Sequence, residues 1–63
     1  MNEQSIEDKR LVDTRTAAEM LGLAQSSLEL MRFEKRGPAY YRMGRTIRYA
    51  IEDLDDYVER VEP

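Results

Sequence analysis

Ala17, Ala18, Met20 and Leu21 form the first apolar run with helical spacing, and Gly22 follows directly. Ahead of them, Asp13 or Thr14 can accept a hydrogen bond from a free backbone N–H of a first turn. The pattern predicts a helix over 15–21, with glycine as its C-terminal stop. Leu23 and Ala24 make a tight link. Leu28 and Met31, three apart, then share one face of a second helix over 25 to 34 or 35. At about 100° per residue the opposite face carries Ser26, Glu29, Leu30 and Phe33. Gln25 and Arg32 lie on one flank and Ser27 on the other. Gly37-Pro38 is the expected stop, because proline cannot continue a helix.

The pattern changes period after residue 38. "AYYRM" and "IRY" are short runs of β-formers separated by Gly44, which predicts a hairpin. A three-residue loop, Gly44-Arg45-Thr46, places Met43 opposite Ile47 and Tyr41 opposite Tyr49 as one apolar side. Arg42 then faces Arg48 on the other side, near Tyr40, with Arg45 at the tip. A two-residue loop sets Arg42 beside Ile47 and mixes the faces, so three is the preferred length. Two facing arginines repel, so something anionic compensates or the site is simply left solvated. The last periodic group is Leu54, Tyr57, Val58 and Val61, which predicts an amphipathic helix over 52–60. Its carboxylates cluster in the first turn, where the positive helix end favours them. Residues 1–10 are polar and aperiodic and read as a flexible N-terminal arm, with the folded domain over 11–63.

Charge sharpens the picture. The chain has 63 residues and a formal net charge of −3, but the charge is unevenly placed. Residues 11–49 hold seven basic and four acidic residues, a net of +3, and residues 50–63 hold six acids and one arginine, a net of −5. Within 40–49 there are three arginines and no acid. A basic middle ahead of an acidic end is more informative than the total, although the hairpin arginines can also be a solvated edge that discourages strand pairing. Histidine and cysteine are both absent, which excludes disulfides, thiol catalysis and histidine acid–base chemistry, and with them nearly all zinc sites. Asp53, Asp55 and Asp56 lie on one helical turn, whereas a hydrolytic or metal site needs groups converging from several elements. The expectation is therefore no enzyme, no cofactor and no metal. With no long apolar span and no basic-then-apolar leader, a soluble cytoplasmic protein without membrane contact is expected.

Two short helices, a tight glycine turn, a hairpin and a last helix make the plan of a winged helix-turn-helix, an α+β and mostly α fold. "TRTAAEMLGLAQSSL" resembles the opening of the excisionase and AlpA-like family of small DNA-binding proteins, related to the DNA-binding domain of MerR regulators. "RGPAYYRMGRTIRYAIEDLDDYV" is similar to that family's wing and final helix. The matching features are Ala17-Ala18, Leu21-Gly22, Leu28, Gly37-Pro38, Tyr40, Arg42, Gly44, Ile47-Arg48-Tyr49, Asp53-Leu54 and Tyr57. They span about residues 11–58.

The resemblance implies binding of double-stranded DNA, without catalysis. Many family members are recombination directionality factors of phages or mobile elements. They bind repeated sites cooperatively, head to tail with further copies, bend the DNA and steer an integrase toward excision. Others regulate transcription through the same surface. From a different class, an acidic protein-interaction module without DNA binding is the third reading. The residues expected to probe base edges from the second helix are Gln25, Ser26, Ser27, Glu29 and Arg32. Those expected on the phosphates are Arg15, Lys35, Arg36, Tyr40, Arg42, Arg45, Thr46 and Arg48.

Each has a plainer reading. Glu29 can be solvated or paired with Arg32, and Lys35 and Arg36 can simply favour a helix C-terminus. Leu30 and Phe33 are expected to pack on the final helix or the hairpin; otherwise they form an exposed patch for thymine methyls or a second copy. The chain departs from the family at Ala24, where a serine or threonine cap is usual. It departs again at Leu30, Phe33 and Glu34, which replace basic or polar residues, and in its strongly acidic last helix.

Overall fold

The structure, a computed structural model, describes residues 9–61. Its elements in chain order are β1 (Leu11–Val12), α1 (Thr14–Leu21), α2 (Gln25–Phe33), β2 (Tyr41–Met43), β3 (Thr46–Ala50) and α3 (Ile51–Tyr57). This is a small α+β arrangement of three helices and one three-stranded antiparallel sheet, ordered β1-β3-β2. Among the described residues no helix is long and apolar enough to cross a membrane. Of the arm expected over 1–10, residues 1–8 lie outside the described residues. The carbonyl of Arg10 accepts a hydrogen bond from the Ile51 N–H at 2.9 Å, and its guanidinium lies 3.6 Å from Glu52.

Local chemistry sets both ends of α1. The Asp13 carboxylate accepts from the Thr16 N–H at 2.9 Å, so Asp13 is the cap and Thr14 is already helical. At the other end Gly22 takes a left-handed φ of 72°. The Gly22 N–H reaches the Glu19 carbonyl and the Leu23 N–H the Ala18 carbonyl, a Schellman closure. Helix α2 ends by the same device one step earlier than expected. Lys35, φ 63°, is the left-handed residue, and the Arg36 N–H returns to the Met31 carbonyl at 2.9 Å. The stop is therefore a lysine in a glycine conformation, and Gly37-Pro38 lies beyond it. Gly37, φ 90°, lets the chain pass against Met31, where an added Cβ would meet the Met31 side chain at 3.1 Å.

The hairpin register differs from the expected one. Met43 pairs with Thr46, Arg42 with Ile47 and Tyr41 with Arg48, so the loop is the two residues Gly44-Arg45. Gly44 has φ 63° and Arg45 has no positive φ, the pattern of a two-residue turn with glycine in its first position. Arg42 and Arg48 consequently point to opposite faces, and the expected arginine–arginine repulsion does not arise. The physical reason lies in Gly44, whose positive φ suits the first position of a two-residue turn. Strand β2 therefore shifts by one residue, while Ile47 and Tyr49 stay on the inner face of β3 as expected. Strand β1 is an element the apolar pattern did not reveal. Val12 pairs with Tyr49 and Leu11 with Ala50, which makes β3 the central strand. Short edge strand β2 accepts Arg42 on the inner face because the arginine stem reaches out to water.

The core comprises Ala17, Ala18, Leu28, Tyr49 and Leu54, with Val12, Leu21, Met31 and Ile47 packed around it. Two alanines keep α1 slim where it lies on β3. No residue separates β3 from α3. Helix α3 stops at Tyr57, three residues short of the expected end, and Val58 is extended with ψ 128°. Val58 and Val61, expected on its apolar face, are exposed. A last turn with nothing to pack against has too little to hold it helical.

Candidate nucleic-acid interface

Two grooves flank α2 on its hairpin side. One lies between α2 and β2 and is lined by Glu29, Arg32, Phe33, Lys35, Tyr40 and Arg42. The other lies between the starts of α1 and α2 and the hairpin tip. Its lining includes Asp13, Thr14, Arg15, Gln25, Glu29, Arg32, Arg45, Thr46, Ile47 and Arg48. Together they gather six basic side chains, Arg15, Arg32, Lys35, Arg42, Arg45 and Arg48, against two carboxylates, Asp13 and Glu29. No carboxylate of α3 lines either one.

The basic residues differ in how free they are. Among the described residues, Arg42 and Arg45 have no salt-bridge partner. Arg48 donates to the Ile47 carbonyl at 2.8 Å. Arg15 lies 3.7 Å from Glu19 one turn on, an exposed pair that exchanges readily. Lys35 is exposed at the strained close of α2. Arg36 sits outside both grooves and is held by Glu34, with its Nε 2.8 Å from the Glu34 carboxylate, which makes it the weakest of the expected phosphate contacts.

Arg32 belongs to the frame. Its Nη1 donates to the Thr14 hydroxyl at 3.1 Å and to the Tyr49 hydroxyl at 3.0 Å. Its guanidinium also lies 5.7 Å from the Tyr40 ring centroid, within cation–π range. The Tyr40 ring in turn meets that of Tyr49 at 6.0 Å and 51°. The guanidinium that sequence placed among the base-probing groups thus ties α2 to α1 and β3. The Glu29–Arg32 pair is replaced by another: Gln25 Nε2 donates to the Glu29 carboxylate at 3.1 Å.

Ser26 and Ser27 are exposed beside them, clear of both grooves. Leu30 and Phe33 do not pack on the hairpin or on α3. They stand 51% and 83% exposed on the outer face of α2, opposite the buried Leu28. Thr46 is exposed opposite Met43 at the hairpin end.

Sequence reasoning missed three participants. Thr14 and the Tyr49 hydroxyl hold Arg32, and no linear spacing signals that contact across 17 or 18 residues. Asp13 lines the second groove as well as capping α1. The Thr16 N–H and hydroxyl, then Arg48 and Arg15, hold its carboxyl below the usual carboxylate range. It is therefore an anion at neutral pH and offsets part of that groove's positive charge.

No protein-family model matches the chain, and no curated protein matches it.

Proposed function

We propose that this chain binds double-stranded DNA on a winged helix-turn-helix plan, with α2 as the helix that probes the major groove and the β2–β3 hairpin as the wing. The observation that carries the reading is the gathering of six cations against two carboxylates in two grooves that share Glu29 and Arg32, in an acidic chain. Arginine forks suit phosphate oxygens, and the short side chains of Ser26 and Ser27 suit base edges. Arg42 and Arg45, without salt-bridge partners among the described residues, are the first contacts on the backbone. Arg48, Lys35 and Arg15 extend the track.

The resemblance to excisionases carries the proposal one step further, to a recombination directionality factor that binds repeated sites, bends DNA and steers an integrase. Bending a site costs of order 1–6 kcal/mol and is offset by the added contacts. The acidic α3 and the carboxylates after it suit a basic protein neighbour such as an integrase.

The test is electrophoretic mobility shift at low salt with a random-sequence duplex pool. The wild-type chain retards the pool, and the triple variant Arg42→Ala, Arg45→Ala, Arg48→Ala does not, while its thermal melting is unchanged. A wild-type chain that shifts no duplex at low salt overturns the proposal and leaves the acidic interaction module.

A further inference from the structure

Leu30 and Phe33 are three residues apart and therefore neighbours on the outer face of α2. Both are exposed, Phe33 strongly so, while the helix packs inward through Leu28 and Met31. Phe33 also lines a groove with Arg32, Lys35, Arg42, Tyr40 and Glu29, three cations against one carboxylate, so the rim of the apolar patch is net cationic. That rim favours an occupant that is anionic around an apolar centre. The apolar group that DNA presents among its major-groove base edges is the C5 methyl of thymine, and phosphates flank it on both sides.

We propose that Leu30 and Phe33 are specificity-determining residues that read thymine methyls, an inference that rests on the DNA-binding reading above. Helix α2 has nine residues. It is thus about 13 Å long, roughly four base-pair steps, so its exposed face meets more than one base pair. Ser26, on the same face one turn before Leu30, contributes a hydroxyl to a base edge, and the Leu30–Phe33 pair excludes water from the methyls beyond it. The bound site accordingly carries thymines where this patch lands. Uracil, which keeps every hydrogen-bonding group of thymine and lacks only the methyl, is discriminated against.

The experiment uses the full chain and the best duplex recovered from random-sequence selection, made once with thymidine and once with deoxyuridine. The wild type binds the deoxyuridine duplex roughly fourfold more weakly for each methyl contacted, from the usual transfer free energy of one buried methylene. The double variant Leu30→Ala, Phe33→Ala binds both duplexes alike. Its thermal melting stays close to wild type, because both side chains are exposed.

Equal affinity of the wild type for the two duplexes overturns the inference and leaves DNA binding intact. A double variant that still prefers thymine overturns it too, because the methyl is then read elsewhere. Self-association in sedimentation that the double variant abolishes, without any thymine preference, assigns the patch to a second copy instead. If no duplex is recovered at low salt, the DNA-binding reading itself has failed.

Discussion

At Arg32 one guanidinium serves two hydroxyls and one ring from three different parts of the chain. Tyr49 is fully buried, so removing Arg32 takes away the hydrogen bond that satisfies its hydroxyl. Arg32→Ala is expected to lower stability by about 1–3 kcal/mol in urea unfolding, a large fraction of what a chain this short has. Arg32→Lys should recover little, because an ammonium lacks the planar face that lies over the Tyr40 ring and the reach of Nη1 to both hydroxyls. Asp13 gives a pH dependence of known sign. Its folded-state pKa is depressed, so its contribution is present above the unfolded value and is lost as pH falls through the folded one. Asp13→Asn keeps an acceptor at the cap but cannot ionise. The wild-type advantage in urea midpoint should be full above the unfolded carboxyl value and shrink as the pH falls through the depressed folded one. At this scale the sequence showed which residues carry charge, and the cap at Asp13 could be read because it is local. That Arg32 is structural could not, since its partners are set by the packing of α1 on β3.

Helix α2 begins at Ala24, which offers no side-chain acceptor to the first turn. Ala24→Ser is expected to raise stability by about 1 kcal/mol, measured as a higher urea midpoint with unchanged m-value. It should leave the charge of both grooves unaltered. Helices α1 and α2 were legible within one or two residues because caps, glycine and the 3.6-residue period are all local signals. The sheet was not. Leu11–Val12 is too short to show a period, yet its pairing with Tyr49 and Ala50 makes β3 the central strand. Alternation put Ile47 and Tyr49 on one face, as observed, but matching them to Met43 and Tyr41 favoured the wrong hairpin loop and set Arg42 opposite Arg48. The end of α3 was misread for a related reason. Val58 and Val61 keep helical spacing, but spacing does not say whether another element is there to cover them.

For the whole molecule, a net charge of −3 conceals a division of labour: cations collect around α2 and the hairpin, and carboxylates on and after α3. If Arg15, Lys35, Arg42, Arg45 and Arg48 each neutralise one phosphate, log K against log salt should fall with a slope of about −4.5. Each single alanine variant should make the slope shallower by about 0.9. A slope near zero would mean that these cations are not on phosphates. The basic centre of this division was visible in the sequence; its assembly into two grooves on either side of Arg32 required the fold. The direct junction of β3 with α3 carries one more consequence. A strand that passes into a helix with no intervening residue leaves no swivel, and α3 also lies against β3. The ribbon and the acidic helix are therefore coupled in orientation, so a displacement of one carries the other with it.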